Sequence, residues 1–102
     1  MAVLVVATTD TPPETDELAR RLQKAITPYS VILHNDDVHS VEFVVDALLK
    51  SVERLNRDQA VSITLEAHSS GRAIVVTCPL EHAELYRDRL ASFKLGVTIE
   101  PA

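Results

Sequence analysis

A chain of 102 residues, 46% hydrophobic and 25% charged, has the composition of one ordinary globular domain, long enough to bury a core without covalent staples. Its net charge of −5, with no basic cluster beyond Arg20-Arg21, argues against nucleic acid and against an anionic membrane, because phosphate binding needs a concentrated Lys/Arg face. The single cysteine, Cys78, rules out an internal disulfide and a cysteine-based structural zinc site, and no stretch approaches the ~20 apolar residues of a membrane helix.

Residues 1–28 read as an appendage. Val3 to Val6 suit a short strand, and the run Ala2 to Ala7 is too short and too uncharged at its start for a secretion signal, so the chain reads as cytoplasmic. Thr8-Thr9-Asp10-Thr11-Pro12-Pro13 is a breaker cluster. From Asp16 to Ile26, Leu18, Leu22, Ala25 and Ile26 are helically spaced, with Thr15 or Asp16 as N-cap and Arg20, Arg21 and Lys24 toward the C-terminal end. Thr27-Pro28 ends that helix. About 11 residues are marginal as an isolated helix, so this segment is an arm that orders on a partner, a docked helix or a tolerated tail.

The core begins at residue 29. Tyr29 to His34 predicts a strand, and a helix follows from about Ser40 to Arg54. Along that helix Val41, Val44, Val45, Leu48, Leu49 and Val52 form one apolar stripe. Glu42 stands where a capping-box acid belongs, but the residue three before it is His39, so Ser40 is the alternative cap. Asn56 and Gln59 have capping-box spacing for a second helix from Arg57 to about Ala67, with His68-Ser69-Ser70-Gly71 as its stop. Ala73 to Thr77 is a β-branched strand. Pro79 suits the first turn of a third helix with Ala83, Tyr86, Leu90 and Phe93 inward, and Val97 to Ile99 is a last short strand. The order β-α-α-β-α-β predicts an α+β fold, a small three-stranded antiparallel sheet with three helices.

The residues that could carry chemistry collect around the end of the first strand. Asn35, Asp36, Asp37, His39 and His68 are acceptor-rich and adjoin an apolar helix face, which is what a pocket for a small ligand or peptide end requires. An α-ammonium group has three N–H donors; Asn35 offers an amide oxygen, Asp37 or Asp36 a carboxylate, and neutral His68 one ring nitrogen. Ordinary turn chemistry accounts equally well for Asn-Asp-Asp after a strand, and a histidine just past a helix commonly serves the helix dipole. The spacing of His34, Asp36, Asp37 and His39 matches no zinc motif. Two glycines, Gly71 and Gly96, cannot build a phosphate loop, and Cys78 before a proline reads as a small side chain closing a strand. Neither an enzyme nor a cofactor is expected.

The run Tyr29-Ser30-Val31-Ile32-Leu33-His34-Asn35-Asp36-Asp37, followed by Val41-Glu42-Phe43-Val44-Val45, resembles the strand, NDD motif and helix start of the ClpS family, adaptors that hand N-end-rule substrates to Clp proteases. His68-Ser69-Ser70-Gly71-Arg72-Ala73 resembles that family's H-x-x-G-[KR]-A signature, and Ala83-Glu84-Leu85-Tyr86 its third helix. The resemblance covers 29–102, which would form the core domain, and implies the fold shared with the ribosomal stalk C-terminal domain. It further implies that the positions of Asn35, Asp37 and His68 hold a substrate's α-amino group. An apolar pocket lined or bordered by His39, Val41, Val44, Leu48, Thr64, Ala67 and Leu95 would take the bulky first side chain. The partner implied is a Clp AAA+ unfoldase of ClpA or ClpC type, engaged by the N-terminal extension and by the region of Glu81 and Tyr86.

Departures from the family pattern bear on specificity. His39-Ser40-Val41 stands for the usual Thr-Pro-Met, Val38 for an aromatic, Ala67 for a common Val and Tyr86 for a frequently basic residue. A shorter Val41 and Ala67 predict a wider pocket with relaxed first-residue preference. His39 at the rim predicts pH-sensitive binding, since an imidazolium repels an ammonium. The alternative is an interaction module of the same fold that modulates the unfoldase without amine recognition.

Overall fold

The computed structural model describes residues 13–102, so the expected strand at 3–6 lies outside the described part. Its centre is β1 (Pro28–His34), whose apolar run places Val31, Ile32 and Leu33 at 0%, 1% and 1% exposure. β2 (Arg72–Pro79) and β3 (Val97–Pro101) flank it, both antiparallel, in the order β2-β1-β3. The β1–β2 register slips between Val31 and Ile32, where Val31 faces Val76 and Ile32 faces Ile74, so Val75 is a bulged residue. Val75 is nonetheless buried in the core.

Alternation along β1 splits its side chains between two faces. Val31 and Leu33 join the main core, while Ile32 is buried outside that cluster. On Ile32's side of the sheet, polar pairs join the strands: Ser30 Oγ with Thr77 Oγ1 at 3.3 Å, His34 Nε2 with Thr98 Oγ1 at 2.8 Å, and Arg72 with Glu100 at 3.0 Å.

Four helices accompany the sheet among the described residues: α1 (Pro13–Ile26), α2 (Val41–Ser51), α3 (Arg57–Ser70) and α4 (Leu80–Ala91). The element order from β1 onward is the predicted β-α-α-β-α-β. Val44, Val45, Ala47 and Leu48 of α2, Ala60 and Ala67 of α3, and Ala83 and Leu90 of α4 form the core with Val31 and Leu33. Fully burying a side chain the size of Leu48 or Leu90 contributes about 1.5–3 kcal/mol.

Helix ends follow local chemistry. Ser40 caps α2, its hydroxyl accepting from Phe43 N at 3.1 Å, so the cap is Ser40 and not His39. α2 stops at Ser51, three residues before the expected end, because Val52 takes an extended conformation and is fully buried. Asn56 and Gln59 form the reciprocal capping box, at 2.8 and 2.9 Å. α3 continues through Ser69 and Ser70 until Gly71, at φ +92, supplies the left-handed cap, its N–H bonding Ala67 O. Pro79 is the cap of α4 and not its first residue. α1 starts at Pro13, which puts Thr15 and Asp16 inside the first turn; a proline there forfeits only an N–H that a helix start leaves unbonded anyway. On α1, Leu18, Leu22 and Ile26 are 53%, 56% and 68% exposed.

Candidate functional site

The end of β1 and the end of α3 meet through one backbone bond. Asn35 N donates to Gly71 O at 2.9 Å, which brings the Asn-Asp-Asp turn beside the last turn of α3, where His68 sits exposed. A second bond, His34 N to Gly96 O at 2.9 Å, fixes the same corner against the start of β3. Both bonds join positions remote in sequence, and both use a glycine carbonyl.

The corner encloses a cavity of about 290 Å³. Its polar end carries Asn35, Asp36, Asp37, His39 and His68; its apolar wall is Leu33, Val41, Val44, Thr64 and Ala67, with His34 and Ser40 completing the rim. Val44, Thr64 and Ala67 are 4%, 5% and 3% exposed, so the inner part of the wall is buried, whereas Val41 is 43% exposed. Thr64 Oγ1 donates to Ala60 O at 2.8 Å, which leaves no unmet hydroxyl in that wall. The polar groups above it belong to exposed side chains of Asn35, Asp37 and His68.

The two carboxylates are not equivalent. Asp36 accepts from Val38 N at 2.7 Å, from His39 N at 3.0 Å and pairs with His39 Nδ1, so both of its oxygens are engaged within the turn. The His39 side-chain bond, followed by the His39 amide bond, holds the Asp36 carboxyl below its ordinary value, against an opposing contribution from burial. Asp36 is therefore placed as the organiser of the turn and not as a free acceptor. Asp37 has one contact, at 3.3 Å from Asn35 Nδ2. That bond sets the Asn35 amide with its nitrogen toward Asp37 and its oxygen free to accept.

His39 stacks on Phe43, rings 4.6 Å apart and 16° from parallel, and Phe43 meets Phe93 edge-on at 6.2 Å. His39 also pairs through Nδ1 with Asp36, so a ring that lines the cavity is held beside a carboxylate. Nine of the expected pocket and clamp residues line the cavity together. Leu48 and Leu95 do not: they lie in the core cluster at 0% and 5% exposure, away from the lining. Leu33, His34 and Ser40 also line it, although none of the three is among the expected pocket residues; Leu33 and His34 precede Asn35 directly, which is the available signal.

Glu81 is exposed in the first turn of α4, whereas Tyr86 is half-buried, packed against the core with His82 at 6.5 Å. Cys78 is buried, which pushes its thiol up despite Arg54, so it is a poor nucleophile. Among the described residues no three His, Cys, Asp or Glu side chains converge as metal ligands, and no helix is long and apolar enough to cross a membrane.

A sequence model of the family described as ATP-dependent Clp protease adaptor protein ClpS matches residues 24–98. The chain belongs to the ClpS family. It is 45% identical over 80 residues to the ATP-dependent Clp protease adapter protein ClpS of Synechococcus elongatus, covering 78% of this chain and 84% of that one. With the ClpS of Gloeobacter violaceus it shares 40% identity over 88 residues, 86% of this chain and 95% of the other. The solved structure of Agrobacterium tumefaciens ClpS2 bound to L-phenylalaninamide matches with a TM-score of 0.66 at 35% identity, over 74% of this chain and 98% of that one. The ClpS match thus spans β1, every cavity-lining residue and helices α2, α3 and α4.

Proposed function

We propose that this protein binds the free N-terminus of substrate polypeptides, α-amino group and bulky apolar first side chain together, and delivers them to a Clp AAA+ unfoldase of ClpA or ClpC type. The observation that carries the reading is the juxtaposition in one cavity of Asn35, Asp37 and His68 with the apolar wall of Val41, Val44, Thr64 and Ala67. Three acceptors match three ammonium donors, each charge-assisted bond contributing about 1.5–3 kcal/mol. The wall contributes a comparable amount for a buried Leu or Phe side chain, about 1.5–3 kcal/mol, so neither half suffices alone.

Size agrees. A cavity of ~150 Å³ holds benzene, so about 290 Å³ admits an aromatic side chain with its backbone amine at the mouth. The Agrobacterium tumefaciens relative was solved with L-phenylalaninamide, a free amine next to a benzyl group. In this reading residues 1–28 are the extension that meets the unfoldase and 29–102 the core that meets the substrate, with Glu81 and the exposed side of α4 as a second docking point. The compartment inferred is the cytoplasm, where the lone buried thiol of Cys78 needs no oxidised partner.

The test is fluorescence anisotropy with an N-terminal Phe peptide and its acetylated twin. The free peptide should bind at least about tenfold tighter, the equivalent of one lost charge-assisted bond. Asn35→Ala and His68→Ala should each remove that preference. Equal binding of the two peptides defeats the reading and leaves the alternative, a family member that modulates the unfoldase without recognising the amine.

A further inference from the structure

Resting on that reading, we infer that Asp36 and His39 act as a pair: Asp36 is a positioning residue that fixes the proton of His39 on Nδ1, so that Nε2 becomes a fourth acceptor for the incoming chain terminus. Asp36 accepts two backbone N–H groups and the His39 ring at once. Its carboxyl, held below the ordinary range, stays ionised and can only accept. A neutral imidazole that donates from Nδ1 carries a bare lone pair on its other nitrogen, and which nitrogen holds the proton is set by the bond the opposite one makes.

The ring is held in one orientation from two directions. Asp36 grips Nδ1 at its edge, and Phe43 covers one face at 4.6 Å. Phe43 is itself braced by Phe93. Among the described residues the hydrogen bonding of the ring runs entirely through Nδ1; the side chain is 20% exposed and lines the cavity beside Asn35, Asp37 and His68. Nε2 is thus the ring atom left for a ligand. The first peptide N–H of a bound chain supplies the donor, since the three ammonium N–H groups are already matched by Asn35, Asp37 and His68.

The experiment combines imidazole ¹⁵N spectra with a double-mutant cycle on the full chain. In the neutral wild-type ring, Nε2 of His39 should show the signature of an unprotonated nitrogen. Asp36→Asn keeps an oxygen for the Val38 and His39 amides but turns an N–H toward Nδ1, which should move the ring proton to Nε2 with the turn still folded. That variant should bind the Phe peptide about tenfold or more weakly, because a donor now faces donors. His39→Phe keeps the stack on Phe43 and loses the acceptor, with a similar cost. The double variant should lose no more than His39→Phe alone. The inference is overturned by a wild-type Nε2 that carries the proton, by Asp36→Asn binding within about twofold of wild type, or by a full Asp36→Asn loss persisting on the His39→Phe background. A wild-type protein indifferent to acetylation of the peptide overturns the amine-binding reading along with it. One that discriminates, yet fails any of the other three, overturns this inference alone.

Discussion

Neighbouring carboxylates at 36 and 37 behave differently because of the backbone that follows them. Asp36 faces the amides of Val38 and His39 and is drawn into the turn, whereas Asp37 is left at the mouth of the cavity with one weak bond from Asn35. The Asp36 carboxyl is held low in the folded chain, so its contribution to stability is complete above the unfolded value of about 3.9 and is lost as pH falls through the lower folded value. Urea melts of wild type and Asp36→Asn should therefore differ by a gap that is present above about pH 5 and closes as the pH falls below about pH 4. A gap that persists undiminished well below about pH 4 contradicts the assignment. Val41, the first residue of α2 and 43% exposed, lines the cavity. We expect wild type to bind Ile- and Val-initiated peptides within about tenfold of Leu, and Val41→Met to penalise the β-branched pair by about tenfold while sparing Leu and Phe. Anisotropy with peptides differing only in residue one decides it; a wild-type profile confined to Leu and Phe sinks the idea.

At the scale of elements, α3 shows how stability and site share one device. Gly71 ends the helix at φ +92 and lends its carbonyl to Asn35 N, so the helix cap and the Asn35 corner are a single joint. Space is open around a Cβ at Gly71, but the left-handed backbone resists one. Gly71→Ala should cost about 1–2 kcal/mol in urea melts and also weaken the Phe peptide, through displacement of Asn35 and His68. A stability loss with unchanged peptide affinity would separate the two roles. Asn56→Ala, at the opposite end of α3, should cost about 1 kcal/mol and leave binding alone. Both joints were readable in the sequence because their chemistry is local: Asn56 and Gln59 at capping-box spacing, a glycine where the helix must turn, an apolar run at Val31-Ile32-Leu33. What escaped depends on where side chains finally settle. The α2 stripe is wider than the cavity, so Leu48 shares the stripe with Val41 and Val44 yet is buried in the core. The engagement of Asp36 by His39, and of His39 by Phe43, is a matter of rotamers, to which residue spacing is blind.

For the molecule as a whole, the open question is what α1 does for the rest. Leu18, Leu22 and Ile26 recur at helical spacing yet are more than half exposed, so they bury too little area to hold the domain together. β1, by contrast, is bonded from its first residue: Pro28 O accepts Ala102 N at 3.0 Å, tying Ala102 to the central strand. The two observations set where a truncation can fall. A chain beginning at Thr27 keeps that bond, the sheet and every cavity residue. It should unfold within about 1 kcal/mol of the full chain and bind the Phe peptide with unchanged affinity. Under the adaptor reading it should nonetheless fail in delivery, so that degradation of a Phe-initiated substrate by a reconstituted Clp protease slows although capture does not. Undiminished degradation by the truncated chain would move the unfoldase contact to α4 and Glu81. A fall in peptide affinity would show that α1 reaches the cavity after all.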